Sequence, residues 1–166
     1  MTATQALDTL LRSYVRYYDI TRENVEPPFA AEAVFHTHDE TYFLVKSARL
    51  SEADSHEYVY FATVDQLDLP GVQELDETAW TRGMDHVKPH SSHRNSDVTL
   101  VILAEHIAPE AMEAIGKLRR SKSYRYGLQG WSNYRVIAME TSSGRLAYNR
   151  LGRNLKKLFR NITNQE

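Results

Sequence analysis

A chain of 166 residues that is 42% hydrophobic and 25% charged is long enough for one domain with a substantial core and too apolar for extensive disorder. The absence of cysteine excludes disulfides, thiolate nucleophiles, Cys-type zinc sites and iron–sulfur ligation, and it fits a reducing cytoplasm. The N-terminus does not read as a targeting segment, and no stretch approaches the roughly 18 apolar residues of a spanning helix, so the expectation is a cytoplasmic protein without a membrane partner.

The net charge of −2 conceals a division. Residues 1–83 hold 6 Lys and Arg against 15 Asp and Glu, a balance of −9, whereas residues 84–166 hold 14 against 7, a balance of +7. Such polarity means either a basic surface for an acidic partner or two halves of one domain attracting each other across the fold.

In chain order, Gln5 to Tyr18 predicts an amphipathic helix capped by Thr4, with Leu7, Leu10, Leu11, Tyr14 and Tyr18 inward. Pro27-Pro28 interrupts regular structure, and Glu23 to Phe29 reads as a connector. Three strands are expected at Ala33 to His36, Thr41 to Lys46 and Glu57 to Thr63, the last two apolar on both faces and hence interior. Thr37 to Glu40 reads as the turn between the first two. After loop chemistry at Leu67 to Gly71, Val72 to Met84 predicts a helix, with Val72, Leu75, Ala79 and Trp80 inward. Val98 to Ala104 is the most continuous apolar run and predicts a central strand. Pro109 suits the first position of a helix whose apolar side is Ala111, Met112, Ile115 and Leu118. Strands then follow at Ser123 to Leu128, Tyr134 to Met139 and Arg145 to Tyr148, with a final helix over Asn149 to Ile162. The fold class is α+β in a single domain, a mixed or antiparallel sheet flanked by helices, in the order α-β-β-β-α-β-α-β-β-β-α.

The most distinctive segment runs from Lys117 to Arg160, where twelve Lys and Arg meet one acidic residue, Glu140, with aromatic rings threaded between them. Cations beside flat π-faces are the composition of anion and single-stranded nucleic-acid sites. The residues expected to supply charge are Arg119, Arg120, Lys122, Arg125, Arg153, Lys157 and Arg160, and those expected to stack are Tyr124 and Trp131. The function that follows is a non-catalytic binding module for a polyanion or a phosphorylated ligand, nucleic acid included, with no cofactor required.

Two other readings come from other residues. His36 and His38 alternate along a strand and, with His90, His93 and Glu57, form a candidate zinc site for metal-assisted hydrolysis. Helix, three strands, helix and strand over residues 5–104 resemble, in order, the core of restriction-endonuclease-like nucleases, whose site joins an acidic residue to a Glu-x-Lys signature. Glu57-Tyr58-Val59 lacks that lysine, so the resemblance implies only a rearranged Mg²⁺ site drawn from Asp39, Asp54, Glu57 and Lys46. The third reading is a homo-oligomer whose acidic and basic halves pair between copies. Glycine-rich nucleotide loops and nucleophile elbows are absent from the sequence.

Overall fold

The computed structural model describes residues 1–36, 54–87, 93–124 and 130–164, with the backbone alone for residues 36, 54–55 and 93–95. Among the described residues, four helices and a seven-stranded sheet follow one another in the order expected from the sequence. α1 (Ala3–Tyr14) begins at Thr2 rather than Thr4. The Thr2 hydroxyl accepts from the Gln5 amide at 3.1 Å and the Gln5 side chain accepts from the Thr2 amide at 2.9 Å, a reciprocal cap. Leu7, Leu10, Leu11 and Tyr14 form its buried stripe, but the helix stops at Tyr14 and leaves Tyr18 beyond its end. A strand too short to show a period, β1 (Asp19–Thr21), follows.

The sheet continues with β2 (Ala31–His36), β3 (Asp54–Leu67), β4 (His93–Ile107), β5 (Ser121–Ser123), β6 (Trp131–Glu140) and β7 (Leu146–Tyr148). Its spatial order is β1-β2-β3-β4-β6-β5, with β7 also paired to β6. β1, β2 and β3 are antiparallel neighbours; β3, β4 and β6 are parallel; β5 and β7 run antiparallel along the far edge of β6. The parallel neighbours require helical crossovers, which α2 (Leu69–His86) and α3 (Pro109–Lys117) provide. α2 starts three residues earlier than its hydrophobic pattern suggests, because the Asp68 carboxylate accepts from the Gly71 amide at 2.8 Å and Pro70 fits the first turn. The strand expected at Thr41 to Lys46 lies outside the described residues, as does the turn at Thr37 to Glu40.

Side-chain alternation sorts the core into two layers. Tyr58, Tyr60, Leu100, Ile102, Tyr134 and Val136 face α2 and α3. Val59, Phe61, Val101, Leu103, Ile137 and Met139 face α1 and α4 (Lys156–Thr163). The three parallel strands are covered on both sides, which is why they read as unbroken apolar runs.

The last expected element is divided. Asn149 is not helical; its side chain completes the β6 edge, accepting from the Val136 amide at 2.9 Å and donating to the Tyr134 carbonyl at 2.9 Å. Gly152 opens a 3-10 turn (Gly152–Leu155) pressed so close to β6 that a Cβ there would run into the Val136 carbonyl. α4 begins only at Lys156 and buries Phe159 and Ile162.

Candidate functional site

β5 covers β6 at residues 131–133 and β7 covers it at 137–139. Between them the Asn149 side chain spans the edge, and beside it opens a groove of about 410 Å³. Arg119, Arg120 and Arg150 line it together with Ser121, Asn133 and Asn149, and among the described residues no carboxylate lines it. Arg119 follows the end of α3 and donates to the Leu118 carbonyl at 2.9 Å. Arg120 is fixed by Asp76 of α2, Nε to Oδ1 and Nη2 to Oδ2, both 3.0 Å. That pairing raises the affinity of its guanidinium for its proton further and fixes its orientation. The groove thus gathers guanidinium groups, of which Arg120 is held in a forked ion pair, beside the Ser121 hydroxyl and the Asn133 amide, the groups that hold phosphate or carboxylate oxygens.

The other residues expected to carry charge are spread out. Lys122 is exposed on β5, 5.4 Å from the Tyr124 ring centroid. Arg153 is exposed on the 3-10 turn, and Lys157 and Arg160 are exposed on α4. Arg125 lies outside the described residues. Of the two aromatics expected to stack, Tyr124 is buried, its hydroxyl 2.9 Å from the Ser132 hydroxyl. Trp131 is 45% exposed and stands two residues before Asn133, on the same face of β6. Sequence periodicity passed over Asn133 and Asn149, because each looks like ordinary loop or helix-start chemistry until the strand pairing is known.

A second polar cluster lies under α1. Glu57, Asp97 and Arg135 come from neighbouring strands β3, β4 and β6 on one face. Arg135 donates through Nη1 to Glu57 Oε2 at 2.9 Å and through Nη2 to Asp97 Oδ2 at 2.8 Å. Tyr18 donates to Glu57 Oε1 at 2.9 Å. Burial pushes the Glu57 carboxyl above its ordinary value, against the opposing pull of Arg135 and Tyr18. Burial and then the Glu57 charge push both Tyr14 and Tyr18 up. Asp97 Oδ1, Thr99 Oγ1 and Tyr14 Oη have no hydrogen-bond partner among the described residues. The cations of the basic half thus meet the acids of the other half inside the fold at Arg120–Asp76 and Arg135–Glu57, the intramolecular reading of the charge division.

The histidines expected to bind a metal fall partly outside the described residues, as His38 and His90 do. His36 pairs in register with His56, and His93 with Asp54, at the same end of the sheet. Glu57 has both oxygens engaged, and the Asp39 and Lys46 of the nuclease-like arrangement lie outside the described residues. Among the described residues, no three His, Asp or Glu gather as a metal ion requires.

The chain matches one family model over residues 2–161, described as a domain of unknown function, DUF8052. The chain belongs to this family. No curated protein and no solved structure matches it. Membership in DUF8052 thus spans both polar clusters and the whole of the sheet, while assigning neither cluster a role. Among the described residues, no helix of this DUF8052 chain is long and apolar enough to cross a membrane.

Proposed function

We propose that this protein is a non-catalytic cytoplasmic binding module that holds a phosphorylated ligand in the groove at the β6 edge. The observation that carries this reading is the convergence of Arg119, Arg120 and Arg150 on one cavity of about 410 Å³ with no carboxylate among the described residues that line it. Three guanidinium groups and the donors of Ser121 and Asn133 match the several acceptor oxygens of a phosphate. Exposed Trp131, on the same strand face as Asn133, favours a ligand that also carries a flat base, which would stack there. Arg150 leads along the chain to Arg153 and then to the exposed Lys157 and Arg160 of α4, so a longer polyanion has further cations to follow.

Titration with pyrophosphate, a nucleoside diphosphate and a single-stranded oligonucleotide, followed by tryptophan fluorescence, tests this. The nucleoside diphosphate should bind more tightly than pyrophosphate. The Arg119→Ala/Arg150→Ala variant should lose at least tenfold in affinity for both. An oligonucleotide that follows the α4 cations should show log K falling steeply with log salt, by about 0.7 per phosphate contact. Wild-type affinity in the double variant, or no binding of any of the three at low salt, would overturn the proposal. Arg120 is left intact in this test because its bond to Asp76 makes it part of the fold.

A further inference from the structure

A groove of the opposite character lies where α2 crosses β2 and β3. Two adjoining cavities of about 270 and 340 Å³ share Glu32, Tyr60 and His86. Tyr58 and Tyr60 form the floor, and the Tyr58 ring stacks on the His86 imidazole with centroids 5.0 Å and planes 17° apart. Among the described residues of the lining, Glu26, Glu32 and Asp85 supply three negative charges against one positive charge from Arg82. Arg82 is already committed to the segment beside it. It donates to the Glu26 carbonyl at 2.9 Å and to the Pro27 carbonyl, and its guanidinium lies 5.2 Å from the Phe29 ring centroid. Glu32 and Asp85 take part in none of the ion pairs among the described residues.

Tyr60 gives the groove its polarity at depth. The residue is 2% exposed and lines both cavities, yet its hydroxyl makes none of the hydrogen bonds among the described residues. Burial and the nearby Glu32 carboxylate push the phenol above its ordinary value, so it stays protonated and neutral. With no hydrogen bond to the protein among the described residues, the hydroxyl of this tyrosine in the lining is free to donate to or accept from a ligand in the groove. It sits among carboxylates and the negative faces of aromatic rings, which together attract cations. Val25 and Val34, also in the lining, suit the alkyl stem that carries a biological guanidinium or ammonium group.

We propose that this groove is a binding site for an alkyl guanidinium or ammonium group, seated between Glu32 and Asp85 with its stem on Val25 and Val34 and its head against the Tyr60 hydroxyl. It lies at the opposite side of the sheet order from the β6 edge and does not depend on the phosphate reading. Such a head comes either from a free amine or from an arginine or lysine side chain of a polypeptide, and the two share the same chemistry.

Isothermal titration of the full chain with agmatine, neutral N-butylurea and the peptide acetyl-Gly-Arg-Gly-amide tests the site. Agmatine or the peptide should bind and butylurea should not. Glu32→Gln should weaken binding about tenfold and Tyr60→Phe about threefold, with the urea midpoint of each variant confirming an intact fold. Arg150→Ala, which removes a cation of the anion groove, should leave agmatine affinity unchanged. Peptide tighter than agmatine assigns the site to a polypeptide side chain and the reverse order to a free amine; either order upholds it. Equal heats with butylurea, no binding of either cation, or wild-type affinity in the Glu32→Gln/Asp85→Asn variant would overturn it.

Discussion

Arg120 and Asp76 meet side-on, through two parallel hydrogen bonds of 3.0 Å, and so tie the segment after α3 to the middle of α2. Asp76 retains only 11% of its side-chain exposure, so removing its partner leaves a nearly buried charge unanswered. Arg120→Ala should cost about 2 kcal/mol in urea unfolding. Arg120→Lys should recover only part of that, because an ammonium cannot reproduce the forked geometry.

Arg135 separates two carboxylates on adjacent strands. Without it, Glu57 and Asp97 face each other on paired residues of β3 and β4. Arg135→Met should therefore destabilise the protein by about 3 kcal/mol at pH 7. The loss should shrink as the pH falls, since two neighbouring carboxylates accept a shared proton more readily than an isolated one. Urea midpoints of wild type and variant at pH 7 and pH 5 check this, and a cost independent of pH would contradict it.

Glu140 and Glu57 should leave opposite marks on the acid limb of the stability curve. Glu140 accepts from the Ser143 hydroxyl, the Ile107 amide and Arg145, which holds its carboxyl down at about 2 against an ordinary 4.5. Its contribution is complete above pH 4.5 and disappears as the pH falls towards 2. Glu57 has a folded-state value raised by burial, so its contribution is complete below its ordinary value and declines as the pH rises through the raised one. Glu140→Gln should cost about 2 kcal/mol at neutral pH through its weakened bonds to Ile107 and Arg145, and should flatten the slope below pH 4.5. Glu57→Gln should leave that acid slope in place.

Gly152→Ala should be among the most disruptive single-methyl additions. Its new methyl would meet the Val136 carbonyl, a backbone atom that cannot rotate aside, with the Asn149 amide oxygen close behind. A loss of about 2 kcal/mol or more in the thermal or urea midpoint is expected. A variant as stable as wild type would show that the 3-10 turn is free to move away from β6.

The sheet was legible in the sequence wherever burial on both faces left a long apolar run, as in Val98 to Leu103, and α3 was legible through Pro109. β1 was not, because three residues carry no period, and its pairing with β2 is fixed by contacts distant in sequence. α2 began early because a local bond, Asp68 to Gly71, extends a helix beyond its hydrophobic stripe. The candidate site was half legible. Composition pointed to Arg119 and Arg120, but composition cannot say which cations share a cavity, and the partners of Arg135 and Arg120 come from strands and helices 38 to 78 residues away. The charged neighbours of Tyr124 suggest a stacking platform, whereas its packing beneath Met84 and Ser132 depends on how β5 approaches β6.

The Asn149 amide mimics one peptide unit of a strand that is not there. A row of free amides and carbonyls along β6 would be a template on which a foreign strand, or another copy of this chain, could extend the sheet. With β5, Asn149 and β7 in succession, every stretch of β6 from residue 131 to 139 is already occupied along that side. Replacing Asn149 would thus expose a sticky margin as well as loosen a groove, and the first symptom of its loss would be fibrous or amorphous association at high protein concentration.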